Sequence, residues 1–408
     1  MMVGYIAGLF LCLKNMSDKK VSQLNELILP ADSDIIPIIS DAAGSPVTKK
    51  ITVANMRTSM DISGKGGASA MVASSTAPAT IKARADYLCD GSADQMEINT
   101  ALATYKSVEL SEGTFNLTNS ILVNDGNWLQ GQGKNTTILQ VGNGMNASAI
   151  APIGTTNIYF GKIAGLKING NKANNTSGHG IYAAYFHTWT IENCHIHESA
   201  DNGVKFYGND SNFSINNQLM NCRIENTTNQ CVFINDYAPN NQALDCIIGG
   251  TDNFYCMEIA NTEAIIRGNH IHSADSHGVY IVGEEGVFVG NIVESNGANG
   301  VYLDSHYWTV TGNKVRNNGT SATGSGIKVI GDRNTITGNT CVDLQGTETQ
   351  VYGIELVSGA DNNMVAGNNF YGNTTGEYID GGANNTIIQV GGTEGVSSAF
   401  VIAMAAAL

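Results

Sequence analysis

Inverting hydrolysis of a glycosidic bond needs two carboxyl groups about 6.5–9.5 Å apart, one protonated as acid and one ionised as base. Glu284 and Asp304 meet that requirement if residues 278–284 (GVYIVGE) and 300–304 (GVYLD) are neighbouring parallel strands. One inter-strand step of ~4.8 Å combined with ~6.7 Å for two residues along the strand places them ~8 Å apart. Glu258, one strand further back, lies about 12 Å from Asp304 by the same geometry. Proton abstraction beside a uronate carboxylate needs instead a base and a cation that neutralises the carboxylate, and His306, Tyr302 and Lys328 are the residues for that chemistry. Tyr280, Tyr302, Phe233 and Tyr207 offer rings to the apolar faces of pyranoses, while Lys328 and Asn235 offer polar groups to hydroxyls. The same aromatic column would also stabilise a sheet by cross-strand pairing, so saccharide contact and sheet stabilisation are both open readings of it.

An internal repeat sets these positions. Segments starting at Gly180, Gly203, Cys231, Cys256, Gly278, Gly300, Gly326 and Gly353 align at steps of 23, 28, 25, 22, 22, 26 and 27 residues. In each, the residues one and three after the start are apolar and turn inward, so those at two and four turn outward. The second-position column reads Tyr182, Lys205, Phe233, Glu258, Tyr280, Tyr302, Lys328 and Glu355. The fourth includes Ala184, Tyr207, Asn235 and Asp304; if the strands run on, the sixth adds Phe186, Glu284 and His306.

A second ladder keeps step with the first: Cys194, Cys222, Cys246, Asn269, Asn291, Asn313, Asn339 and Asn368. Stacked ~4.8 Å apart, such Asn amides bond to one another up a column, and small thiols fill the same corner without partners. A period of 22 to 29 residues with short strands and no helix per turn specifies a β-solenoid and excludes leucine-rich repeats. The eight cysteines are expected as reduced, buried scaffold, and the histidines at 179, 195, 197, 270, 272 and 277 as surface or turn residues. No metal and no cofactor is invoked.

The rest of the chain divides by composition. Residues 1–60 form a small module with a strand-like run at Lys50–Ala54; residues 61–84, rich in Gly, Ala and Ser, read as a linker; 85–390 form the solenoid; and 391–408 form an apolar cap or oligomerisation segment. A helix opens the solenoid in 91–105, with Asp94 as cap, Glu97 three residues on, and Met96, Ile98, Leu102 and Tyr105 as apolar positions. The 408 residues carry 21 Lys and Arg against 36 Asp and Glu, net −15, which argues against a sequence-independent grip on nucleic-acid phosphates. No apolar run reaches the ~20 residues of a membrane span; Val3–Leu13 also lacks the basic stretch and cleavage site of a signal peptide, and Met16 is an alternative start.

The run VELSEGTFNL (108–117) through WLQGQGKNTTIL (128–139) and IAGLKINGN (163–171) resembles the opening turns of pectate-lyase-like right-handed parallel β-helices, over about Ala85 to Val390. The resemblance implies an all-β, single-stranded right-handed parallel β-helix with an N-terminal capping helix. Residues 18–57 resemble the attachment module of bacteriophage tail fibre and tail spike proteins, and Ala85–Leu102 is similar to the segment leading into phage-borne β-helices. These resemblances imply a homotrimeric virion protein, made in the host cytoplasm, joined to the tail or baseplate by its N-terminal module and acting on a bacterial surface polysaccharide. A non-enzymatic receptor-binding or structural tail protein and a free polysaccharide lyase or epimerase are the alternatives. Asp304-Ser305-His306 faintly resembles the Asp-Pro-His of mannuronan epimerases, with Ser in place of Pro.

Overall fold

The structure, a computed structural model, describes residues 35–40, 47–52, 69–260 and 262–389. It divides into two units, Met1–Gly67 and Ala68–Leu408. In the first, strands Ile35–Ser40 and Val47–Thr52 pair antiparallel, with Ile35 opposite Thr52 and Ser40 opposite Val47. Most of the attachment-like segment and all of 391–408, the expected C-terminal cap, lie outside the described residues.

The second unit is a parallel β-solenoid with three strands per turn. Each turn contributes one strand to each of three sheets, for example Val279–Ile281, then Gly286–Val289, then Ile292–Glu294. We call these the tyrosine sheet (11 strands), the long sheet (14 strands) and the histidine sheet (11 strands). Strands of three to five residues suffice because alternate β-branched and aliphatic residues point inward, where each packs on its counterparts in neighbouring turns. In the tyrosine sheet Val279, Ile281, Val301, Leu303, Ile327 and Val329 are fully buried.

Corners are where the backbone needs special chemistry. Between the tyrosine and long sheets a left-handed residue recurs in turn after turn, among them Asn216, Asn240, Glu263, Glu285, Tyr307 and Arg333, all with φ between 56° and 63°. The expected Asn ladder is present between the long and histidine sheets: Asn269, Asn291, Asn313, Asn339 and Asn368 are joined Nδ2 to Oδ1 at 2.9–3.0 Å. Cys246 continues the column, its backbone N–H donating to Asn269 Oδ1 at 2.9 Å. Two further amide ladders occupy the other corners. Asn334, Asn363 and Asn385 are linked from backbone N–H to Oδ1 at 2.7–2.8 Å, and Asn296, Asn318, Gln350 and Asn373 are linked through their side chains at 2.7–3.0 Å. Seven cysteines are described, all free and buried.

The N-terminal end departs from expectation in two ways. Residues 69–84 are not a linker: Ser69–Ala73 pairs parallel with Ser107–Leu110, and Ala79–Lys82 is a short helix. The small side chains let this strand pack closely against the first turn, with Ala70, Val72 and Ala73 buried. The capping helix runs Gln95–Thr104 and buries Ile98, Ala101 and Leu102, but Met96 is 63% exposed. Asp94 does not cap the helix with its side chain; its carboxylate accepts from the backbone N–H groups of Gly91 (2.8 Å) and Asn116 (2.7 Å), tying the helix entry to the first strands. Among the described residues no helix is long and apolar enough to cross a membrane.

Candidate functional site

The second-position column forms as one continuous ladder on the outer face of the tyrosine sheet. Register pairs Tyr182 with Lys205, Lys205 with Phe233, Phe233 with Glu258, and Glu258 with Tyr280. It continues from Tyr280 to Tyr302, Lys328 and Glu355. All eight side chains are partly exposed.

Two residues outside that column complete its centre. Tyr255 and His277 sit at the corner just before their strands and lean over the face. The His277 ring is stacked on Tyr255 (centroids 5.4 Å apart, 2° between planes) and on Tyr302 (4.7 Å, 11°), while Tyr280 lies 4.7 Å from Tyr255 and 5.5 Å from Tyr302. Burial and the nearby Lys328 charge lower the His277 pKa to about 4, so the imidazole is neutral at pH 7. The backbone N–H of buried Asn299 donates to His277 Nδ1 at 3.2 Å, which assigns the ring proton to Nε2. His277 can therefore donate a hydrogen bond to a ligand oxygen.

Acids and bases flank the rings. On one side Glu258 accepts from Gln230 Nε2, and burial raises its pKa from the ordinary carboxylate value, with Asp236 adding to the shift. On the other, Lys328 Nζ pairs with Glu355 Oε1 at 2.9 Å, and Ser325 Oγ donates to Glu355 Oε2 at 2.7 Å. Asp304 is exposed beside Tyr280, whose pKa is raised first by burial and then by the Asp304 charge.

The remaining sequence candidates are placed differently. The strands end at the third or fourth position, so the sixth position is not on the sheet. Glu284 lies in the corner loop, exposed, and the flat-strand separation of ~8 Å from Asp304 does not describe it. His306 lies in the equivalent loop one turn on, where its Nδ1 accepts the Asp332 backbone N–H at 2.8 Å. Phe186 and Ala184 are fully buried rather than outward: Ala184 is the last residue of its strand, paired with Tyr207 but covered, and Phe186 lies beyond the strand end, packed on Trp189 in the core. Asn235 is engaged with the neighbouring turn: its Oδ1 accepts from Gly208 N–H (2.9 Å) and its Nδ2 donates to Gly208 O (3.1 Å). Tyr207 and Phe233 do share the face, three and two strands from the centre, with Lys205 Nζ 5.5 and 5.2 Å from their ring centroids.

The sequence alone did not single out Tyr255, Gln230 or Asp236, and it marked His277 only as a surface or turn residue. Tyr255, His277 and Gln230 fall one residue before the repeat start, where the aligned column reads His179, Asn202, Gln230, Tyr255, His277, Asn299, Ser325 and Tyr352. Reading one column further to the left would have found them.

Residues 156–307 match the family model described as the right handed beta helix region. The solenoid is a right-handed parallel β-helix. Solved structures share this β-helix at low identity. The A-module of a mannuronan C-5 epimerase from Azotobacter vinelandii is 14% identical with a TM-score of 0.61, over 74% of this chain and 96% of that one. DFA-IIIase from Arthrobacter chlorophenolicus A6 is 12% identical with a TM-score of 0.58, over 79% and 95% of the two chains. A protein of Geobacillus virus E2 is 12% identical with a TM-score of 0.53, over 86% of this chain and 66% of that one. At these identities the likeness is one of fold. No curated protein sequence matches the chain.

Proposed function

We propose that this β-helix binds a bacterial surface polysaccharide along the outer face of its tyrosine sheet, as a phage tail spike or tail fibre protein. The observation that carries the reading is the Tyr255–His277–Tyr302 stack set between Glu258 and the Lys328–Glu355 pair. Stacked rings present apolar surface to a pyranose ring, and the neutral His277 Nε2–H, the tyrosine hydroxyls and the acids supply donors and acceptors for its hydroxyls. The viral setting enters through the attachment-like N-terminal segment and the occurrence of the fold in a protein of Geobacillus virus E2. Two neighbours of this fold are named as carbohydrate enzymes, a mannuronan epimerase and DFA-IIIase.

Glu258 is the acid that favours depolymerisation as a second reading. Its raised pKa keeps part of its population protonated where an ordinary carboxyl is ionised, as a general acid requires. Asp236, close enough to contribute to that shift, is the carboxylate to test as its partner; Glu284 and Asp304 stay in the test as the pair of the sequence reading. The lyase or epimerase reading draws on Tyr302, His306 and Lys328, of which His306 and Lys328 already have structural partners.

The deciding experiment incubates the purified chain with capsule, lipopolysaccharide, alginate and pectate. Binding, new reducing ends and the absorbance of unsaturated uronates are read in parallel. Binding lost in Tyr302→Ala supports the proposal; no binding to any polymer overturns it. New reducing ends abolished by Glu258→Gln would add hydrolysis, and unsaturated products would add the lyase.

A further inference from the structure

The His277 arrangement occurs a second time on the tyrosine sheet, four strands away. His179 stands in the same corner column, one residue before the repeat start at Gly180. The backbone N–H of buried Asn202 donates to His179 Nδ1 at 3.2 Å, as that of Asn299 does to His277, so the ring proton again lies on Nε2. Burial lowers the His179 pKa to about 4, with Lys205 acting in the same sense and Asp201, whose Oδ2 is 3.5 Å from Nδ1, acting against it. The neutral ring lies 5.2 Å from that of Tyr182, and Tyr182 lies 5.7 Å from Tyr207. Tyr185 meets Tyr207 edge-on at 6.0 Å, and Asn209 Nδ2 donates to its hydroxyl at 3.0 Å.

Lys205 sets this cluster apart from the His277 stack. Its Nζ lies 5.5 Å from the Tyr207 ring centroid and 5.2 Å from that of Phe233. Among the described residues no carboxylate pairs with it, whereas Lys328, the other lysine of the column, pairs with Glu355 at 2.9 Å, and Lys162 and Lys172 pair with Glu192 and Asp252 at 2.6 and 2.7 Å. Glu258, two strands on, feels the Lys205 charge but is bonded to Gln230, and Asp201 Oδ1 accepts from Asn229 Nδ2 at 2.6 Å. Covering an unpaired ammonium with a neutral sugar strips its water without replacing it, while a carboxylate on the sugar restores a charge-assisted bond.

We propose that His179, Tyr182, Tyr207 and Lys205 form a second saccharide subsite, which takes a sugar bearing a carboxylate. The inference rests on the tyrosine sheet being the saccharide-binding face, and adds to it a charge requirement set at Lys205. The Tyr182 and Tyr207 rings supply apolar surface, His179 Nε2–H and the Tyr185 hydroxyl bond to sugar hydroxyls, and Lys205 receives the carboxylate. Register carries the column from Tyr182 through Lys205, Phe233 and Glu258 to Tyr280, four steps of ~4.8 Å or about 19 Å. One sugar ring cannot touch both clusters, so the two subsites hold different units of a ligand. A chain of net charge −15 repels an anionic ligand overall, and a local unpaired cation is what lets its carboxylate settle.

The test titrates the full chain with D-glucuronate and with N-acetylneuraminate, each against its methyl ester, by saturation-transfer NMR. At least one acid is expected to bind about tenfold more tightly than its ester, as one charge-assisted hydrogen bond implies. Lys205→Met is expected to erase that preference and Lys205→Arg to keep it, both with the circular dichroism spectrum retained, since Lys205 is partly exposed. Tyr207→Ala is expected to weaken acid and ester alike, which separates ring stacking from charge. Lys314→Met, on the histidine sheet, removes the same charge elsewhere and is expected to change nothing. Equal binding of acid and ester in both pairs overturns the proposal, as does a preference that survives Lys205→Met or is lost equally in Lys314→Met. Polysaccharide binding abolished by Tyr302→Ala, with no acid preference at Lys205, overturns the subsite alone; an acid preference seated on Lys205, with no polymer bound, overturns the polysaccharide reading alone.

Discussion

His277 and Tyr302 stack with ring centroids 4.7 Å apart and planes 11° from parallel, although they come from different turns and different columns of the repeat. The arrangement puts a corner residue over a strand residue of the following turn and holds both rings against the sheet. Buried Asn299, through its backbone N–H, fixes the imidazole from behind.

Under the proposed function, removing the Tyr302 ring by Tyr302→Ala is expected to weaken polysaccharide binding about tenfold, as loss of a stacked aromatic of about 1 kcal/mol plus its contact area implies. Isothermal titration calorimetry measures it. An equal loss for Tyr371→Ala, exposed on the histidine sheet, would show that the tyrosine sheet is not the binding face.

Glu258 sets a pH dependence of stability. Its folded pKa is raised, so between the unfolded and folded values the native state binds more protons than the unfolded chain, and its contribution to stability falls as pH rises through that window. Glu258→Gln removes this effect. The variant should melt above the parent at pH 7, with the difference shrinking as pH falls below the ordinary carboxylate pKa, measured by differential scanning fluorimetry across pH.

His277 acts in the opposite sense. Its pKa is lowered to about 4 by burial first and by Lys328 second, so the unfolded chain binds the extra proton as pH falls from the usual 6.5 toward 4, and stability is lost over that interval. His277→Phe keeps a ring and removes the titration. Its melting temperature should fall less steeply between pH 6.5 and 4 than that of the parent.

The Asn ladder makes a prediction about its own end. Asn291 donates to Ile266 O and Asn313 Oδ1 and accepts from Asn269, all buried, so Asn291→Ala should destabilise by about 2–4 kcal/mol through unmet backbone and amide groups. Cys246→Asn is expected to be tolerated. Cys246 N–H already donates to Asn269 Oδ1, and its thiol already points at Leu219 O, where the next amide would bond. Melting temperatures of the two variants check the pair of expectations.

Much of this architecture was legible because a solenoid writes its geometry into a period. The eight second-position residues, spaced by 22 to 28 residues, fall in hydrogen-bonded register as the alignment requires, since each turn must repeat the apolar positions of the last. The Cys-to-Asn column was legible for the same reason: stacked corners demand one small or amide side chain at one place. The fold class, the inward and outward alternation of the strands and the buried thiols were thus determined by the sequence alone. Only tertiary structure decided where alternation stops. Three-residue strands end before the sixth position, so Phe186 enters the core and Glu284 and His306 move to a corner, while Tyr255 and His277, off the strand in sequence, turn onto its face. Corners obey left-handed backbone geometry and local hydrogen bonds rather than a two-residue period, and the candidate site is built where strand and corner meet.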